Sequence, residues 1–115
     1  MNQAILTGRM ASDPDIKEFG NEGKTLTVFT IAVDKRIKKE GEKANFFRCI
    51  AFGKTGEFVG KYLAKGNKVL VSGEVNIREY EKDGEKKYIT EVACDRVEGL
   101  ESKPREGAGA PQEEW

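Results

Sequence analysis

Two short stretches of the chain interleave aromatic rings with cations. Phe46-Phe47-Arg48-Cys49-Ile50-Ala51-Phe52 has rings at both ends and an arginine between them, and Arg78-Glu79-Tyr80 repeats the combination in smaller form. Successive side chains of a strand alternate between faces, so Phe46, Arg48, Ile50 and Phe52 share one face while Phe47, Cys49 and Ala51 share the other. An unpaired arginine inside a small barrel is prohibitively costly. Arg48 therefore turns its face to solvent and takes Phe46 and Phe52 with it. By the same reasoning Leu70, Ser72, Glu74, Asn76, Arg78 and Tyr80 form an outward set, and Val69, Val71, Gly73, Val75 and Ile77 an apolar inward one. Exposed rings among cations suit unpaired nucleotides. Bases stack on Phe or Tyr for ~1–3 kcal/mol each while Arg and Lys follow the phosphates, and a duplex hides its base faces. The bland alternative is a subunit or loop contact for Phe46 and Phe52, and an ordinary cross-strand partnership for Tyr80.

Covalent chemistry has little to work with. The 115 residues include no histidine, which excludes Ser-His-Asp and Cys-His catalysis and His-ligated zinc. The two cysteines, Cys49 and Cys94, cannot build a four-cysteine metal site and are expected to be small buried hydrophobes. Gly53-Lys54 is only a fragment of a phosphate loop, since the full Gly-x-x-x-x-Gly-Lys-Ser/Thr pattern is absent. No carboxylates form a recognisable catalytic pair. The chain is therefore expected to be no enzyme and to need no cofactor.

Twenty basic and twenty acidic side chains cancel, and the isoelectric point is about 6.4. Their distribution is uneven. Residues 1–34 hold 3 basic and 5 acidic groups, residues 35–68 hold 10 and 3, and residues 69–115 hold 7 and 12. Screening limits the reach of a charge to ~8–10 Å in ordinary salt, so local potential rather than the total attracts a phosphate backbone. The basic middle third is either an anion-binding surface or a solvated lysine-rich loop.

The elements that hold these residues are short. Ala4 to Gly8 reads as a strand, Asp13-Pro14 and Gly20-Asn21-Glu22-Gly23 as turns, and Lys24 to Val33 as a second, bent strand. Lys35 to Asn45 is a polar hairpin loop, and Phe46 to Phe52 a third strand. Phe58, Val59, Tyr62 and Leu63 then fall on one helical face, with Thr55 as its cap and Gly66 beyond its end. Gly56 and Gly60 weaken that helix, so docking must stabilise it. Val69 to Tyr80 and Tyr88 to Val97 are the fourth and fifth strands, joined through Asp83-Gly84. The order is an all-β chain with one helix between strands 3 and 4, which matches the five-stranded Greek-key barrel known as the OB-fold. The expected domain covers residues 1–99. Residues 100–115, rich in Gly, Pro, Glu and Lys, form an expected short disordered acidic tail. There is no apolar run long enough for a membrane span, and no secretory leader at the N-terminus, so a cytoplasmic location is expected.

The chain resembles the bacterial-type single-stranded DNA-binding protein (SSB) family over roughly residues 2 to 100. The resemblance rests on Asn2-Gln3-Ala4-Ile5-Leu6-Thr7-Gly8-Arg9-Met10 followed by Asp13-Pro14, and on Phe46-Phe47-Arg48-Cys49-Ile50-Ala51-Phe52-Gly53-Lys54. Tyr62-Leu63-Ala64-Lys65-Gly66, Val71-Ser72-Gly73-Glu74-Val75 and Tyr88-Ile89-Thr90-Glu91-Val92 follow in order. It implies an OB-fold that assembles as a homotetramer and wraps single-stranded DNA without sequence choice in replication, recombination and repair. It also implies a place in the bacterial cytoplasm or nucleoid, or in host cytoplasm for a viral member. The family's stacking aromatics fall on Phe46, Phe52 and Tyr80. A further family aromatic is missing, since Lys35-Arg36-Ile37-Lys38 stands where it is expected. The family's acidic, aromatic-tipped tail, which docks replication and repair proteins, is retained in reduced form as Glu113-Glu114-Trp115.

The resulting expectation is a groove. Lys35, Arg36, Lys38, Lys39 and Lys43 form one wall, and Arg48, Lys54 and Arg78 line the floor beside Phe46, Phe52 and Tyr80. The alternatives are an OB-fold protein that binds structured RNA, and a protein-interaction adaptor that uses the three rings as an interface.

Overall fold

The structure is a computed structural model that describes residues 1–20, 23–37, 40, 41 and 44–100. Among these residues six strands and one helix follow one another: β1 (Ala4–Met10), β2 (Asp15–Phe19), β3 (Lys24–Asp34), β4 (Ala44–Phe52), α1 (Gly53–Tyr62), β5 (Lys68–Lys82) and β6 (Glu85–Gly99). The sheet order is β1-β5-β6-β4-β3-β2, and an additional β1–β3 pairing, Arg9 with Ala32 and Met10 with Ile31, closes it. β1, β3, β4, β5 and β6 thus make the five-stranded ring of an OB-fold, with α1 between β4 and β5. All pairings are antiparallel except β4 with β6.

The sixth strand, β2, lies outside this ring. It pairs with residues 24–28 of β3, on the edge that β1 occupies farther along. Its sequence does not announce a strand, because all five of its residues are exposed. Its two apolar residues, Ile16 and Phe19, have opposite parity, so the period-2 signal never develops. Ile16 faces α1, where its side chain lies in the space a methyl group at Gly60 would need.

The inward residues of the five ring strands meet in one core. Phe29 and Ile31 from β3, Cys49 and Ala51 from β4, Val69 and Val71 from β5, and Val92, Cys94 and Val97 from β6 join Met10 and the helical Val59. Thr27, also buried, donates its hydroxyl hydrogen to the Gly56 carbonyl at 2.9 Å and so ties α1 to the barrel. A side chain at Gly56 would crowd Thr27 Oγ1 and the Ala51 carbonyl. The glycine that lowers helix propensity is therefore what permits close docking.

α1 begins two residues before the expected Thr55 cap. Gly53, at φ +58°, turns the chain directly from strand to helix, and Phe52 occupies the cap position without a side-chain hydrogen bond. The helix ends at Tyr62, and Leu63 is already extended. Gly66, at φ +95°, belongs to the following turn, where its N–H donates to the Met10 carbonyl at 2.8 Å.

β5 and β6 outrun the barrel. Residues 76–88 are all exposed, so the hairpin projects as a two-stranded ribbon with water on both faces. This corrects the inward placement of Ile77, which is 70% exposed, because the apolar set is buried only as far as Gly73 and Val75 is already half-buried. Asp83 and Gly84 close the ribbon with φ of +53° and +78°, the left-handed pair that a two-residue hairpin requires. Where the ribbon joins the barrel, the register shifts between Ser72 and Gly73. Gly73 there lies against the backbone of Ala93 and Cys94 with no room for a side chain.

Candidate nucleic-acid interface

Partners in register share a face, so the outer surface is read directly from the pairing. On β4 it carries Phe46 opposite Ala32, Arg48 opposite Thr30, Ile50 opposite Val28 and Phe52 opposite Leu26. β6 adds Glu91 beside Arg48 and Ala93 beside Ile50, and β5 adds Asn76 beside Glu91 and Arg78 beside Ile89. Phe46 is 64% exposed and Phe52 48% exposed. They stand six residues apart, about 20 Å at the usual strand rise, too far to clasp one base between them. Tyr80, 41% exposed, continues the face onto the ribbon opposite Lys87. Phe47, Cys49 and Ala51 turn the other way, the last two into the core.

Glu91 organises the cations. Its carboxylate is nearly buried, with the side chain 7% exposed, and both arginines close over it. Arg48 Nε donates to Oε2 at 2.8 Å, and Arg78 donates from Nη2 to Oε2 at 2.8 Å and from Nε to Oε1 at 3.5 Å. The hydrogen bond from Arg78 and, secondarily, that from Arg48 hold the Glu91 carboxyl below the usual carboxylate range, against the opposing effect of burial. Arg78 is correspondingly pushed up by its bond to Glu91. A guanidinium has five N–H donors, so each arginine keeps donors beyond those spent on the carboxylate. The cluster is a net-positive mount whose two heads are fixed from below. Sequence reasoning missed Glu91 because its partners come from two other strands, one of them joined in parallel, and no local spacing encodes that meeting.

Phe19 was also missed. It is 39% exposed, and its ring meets Phe52 edge to face, with centroids 5.9 Å apart and planes at 79°. Tyr62, 68% exposed, and Phe58 form a second ring contact, 5.6 Å between centroids, on the helix rather than on this face.

The basic loop is only partly placed. Lys35 is half-buried and Arg36 exposed just after β3, and Ile37 follows at 80% exposure. Lys38, Lys39 and Lys43 lie outside the described residues, as do Glu113, Glu114 and Trp115. Lys54 is exposed on the first turn of α1, two residues after Phe52.

Inside the barrel, Cys49 and Cys94 are free thiols. Hydrogen bonding to Cys94, together with burial, pushes the Cys49 thiol up and keeps it protonated. Among the described residues no group of three His, Cys, Asp or Glu side chains is placed to hold a metal, and no helix is long and apolar enough to cross a membrane.

Comparison with known proteins gives one answer from three directions. A single-stranded DNA-binding protein of Fusobacterium nucleatum is 41% identical over 111 residues, an alignment covering 93% of this chain and 71% of the relative. Single-stranded DNA-binding protein 1 of Clostridium acetobutylicum is 43% identical over 106 residues, covering 90% of this chain and 96% of the relative. The solved structure of a Plasmodium falciparum SSB in complex with ssDNA superposes with a TM-score of 0.76 at 27% identity, covering 88% of this chain and 96% of that one. The profile of the Single-strand binding protein family matches residues 1–100, and the chain belongs to that family.

Proposed function

We propose that this protein binds single-stranded DNA without sequence preference and shields it during replication, recombination and repair. The observation that carries the reading is the outer sheet face, where exposed Phe46, Phe52 and Tyr80 share one surface with Arg48 and Arg78. Bases stack on the rings. The donors that Glu91 leaves on the two arginines meet phosphates, joined by Lys54 and by Lys35, Arg36, Lys38, Lys39 and Lys43 of the loop. No bond is made or broken, so the protein acts by binding alone. Stacking is indifferent to base identity because every base has a π-face.

The test is fluorescence anisotropy of a labelled thymidine oligomer. Phe46→Ala should weaken binding by about fivefold or more, the low end of one lost stacking interaction, and by a similar factor for all base compositions. Log affinity should fall with log salt at ~0.7 per phosphate neutralised. A variant that binds as tightly as wild type would remove Phe46 from the site, and a loss confined to one base would indicate hydrogen-bond readout. Competition with a folded RNA separates the structured-RNA alternative. Failure of the wild type to bind either nucleic acid would favour the adaptor.

The same proposal includes a homotetramer and a docking role for Glu113, Glu114 and Trp115. Ile5, 66% exposed on β1, is the kind of apolar surface that self-association covers. Native mass measurement, with and without the oligomer, tests assembly. Deleting Glu113 to Trp115 should abolish recruitment of replication or repair proteins and leave DNA affinity intact or raised. Unchanged recruitment refutes docking.

A further inference from the structure

We infer that Phe19 is a fourth base-stacking ring, and that the DNA track therefore leaves the barrel at Phe52 and continues onto the β2–β3 hairpin. The inference rests on the proposed function of the sheet face and extends it. Phe19 pairs with Lys24, and Phe52 with Leu26, two residues along the same strand, so both rings lie on one side of the sheet. Both are exposed, and their planes stand at 79° with centroids 5.9 Å apart. Rings at right angles present their faces in different directions, so a base on one does not exclude a base on the other. An isolated exposed phenylalanine is commonplace, but one set against a second exposed ring at the end of an aromatic track enlarges a single patch.

Cations stand where the extension needs them. Lys17 shares the outer face with Phe19, two positions back on β2. Its ion pair with Asp15, at 3.8 Å, is solvent-exposed on both sides. Such a pair contributes little and is readily exchanged for a phosphate. Lys24 stands directly opposite Phe19 in the ladder. Nothing in β2 requires a ring for packing, since its inward residue, Ile16, is the one that meets the helix.

The competing role for Phe19 is a brace that holds Phe52 in place. Anisotropy with a thymidine oligomer distinguishes the two when Phe19→Ala, Phe19→Leu and Phe19→Trp are each compared with wild type, and Phe19→Ala is repeated in a Phe52→Ala background. A stacking ring predicts losses of about fivefold or more for Ala and Leu, recovery with Trp, and a further loss for Phe19→Ala when Phe52 is already absent. The natural chain has one tryptophan, Trp115. In a Trp115→Phe chain, Phe19→Trp should therefore report binding by quenching. Wild-type affinity in Phe19→Leu, no added loss in the Phe52→Ala background, or an unquenched Trp would each overturn the inference while leaving the sheet face as the binding site. A wild type that binds no oligomer would overturn both.

Discussion

Replacing Glu91 by Gln tests the cation mount most directly, because it removes one charge and almost no volume. Two short hydrogen bonds converge on Oε2, and a longer one reaches Oε1. Glu91→Gln keeps the charged guanidinium donors and loses only the charged acceptor, so each short bond falls partway from the charged range of about 1.5–3 kcal/mol toward the neutral one of roughly 0.5–1.5, and the two together lose about 2 kcal/mol. The amide also turns an N–H toward a guanidinium. Water offsets part of the loss, since the arginine side chains are 36% and 52% exposed. Halving the figure for that screening leaves about 1 kcal/mol for Glu91→Gln, or a fall of ~4–8 °C in Tm for a domain of this size. The sign of the pH dependence follows from the lowered Glu91 pKa. A carboxyl held below its ordinary value of 4.5 stabilises the fold fully above that value and loses the contribution as pH falls through the lower, folded value. The gap between wild type and Glu91→Gln should be complete at neutral pH, begin to narrow under about 4.5, and close only below the lower, folded value. DNA binding should change in a different way. Guanidinium donors released from the carboxylate can take another phosphate, which steepens the salt dependence by ~0.7 for each additional phosphate neutralised. Denaturant titrations across pH and oligomer binding across salt check the two effects. Equal stability at neutral pH, or a gap that persists unchanged in acid, would refute the reasoning about the carboxylate, and a shallower salt slope would refute the reasoning about the arginines.

Other expectations concern the interior. Gly73→Ala should destabilise the protein by about 3 kcal/mol or prevent folding, because the new methyl group meets the Ala93 carbonyl and the Cys94 Cα rather than a side chain able to move aside; thermal melting checks this, and a wild-type Tm would contradict it. Cys49 and Cys94 should resist a thiol reagent in the native state and both react on unfolding, as their burial at 0% and 7% exposure requires; fast reaction of either thiol at neutral pH without denaturant would contradict the packing. Thr27→Val should lower stability by about 1 kcal/mol through loss of the hydrogen bond to Gly56, with no change in oligomer affinity; denaturant titration and anisotropy read the two quantities separately.

What the sequence made legible depended on how local each signal was. The alternation along Phe46–Phe52 separates core from surface because one arginine decides the face for the whole strand, and Asp83-Gly84 needs only its own backbone. The end of the barrel along β5 is a different matter. Ile77 continues an apolar alternation that says nothing about where the opposing sheet stops, and only the three-dimensional closure reveals it. β2 escaped because its residues answer to two different neighbours, the helix for Ile16 and another ring for Phe19. Glu91 is one of twenty acidic residues, and it is singled out only by the parallel pairing of β6 with β4 and the antiparallel pairing of β6 with β5. The helix starts at Gly53 rather than after Thr55 because Gly53, at φ +58°, lets the chain pass from strand into helix at once.

The middle position of β6 has a consequence for biosynthesis. This strand is the last among the described residues, yet it lies between β4 and β5 and touches both. A nascent chain that has emerged only as far as β5 holds β4 and β5 with no strand between them, while the piece that must join them is still inside the ribosome. Closure must therefore wait until residue 99 has cleared the exit tunnel, so the barrel completes only after its cations and most of its rings have already met the cell.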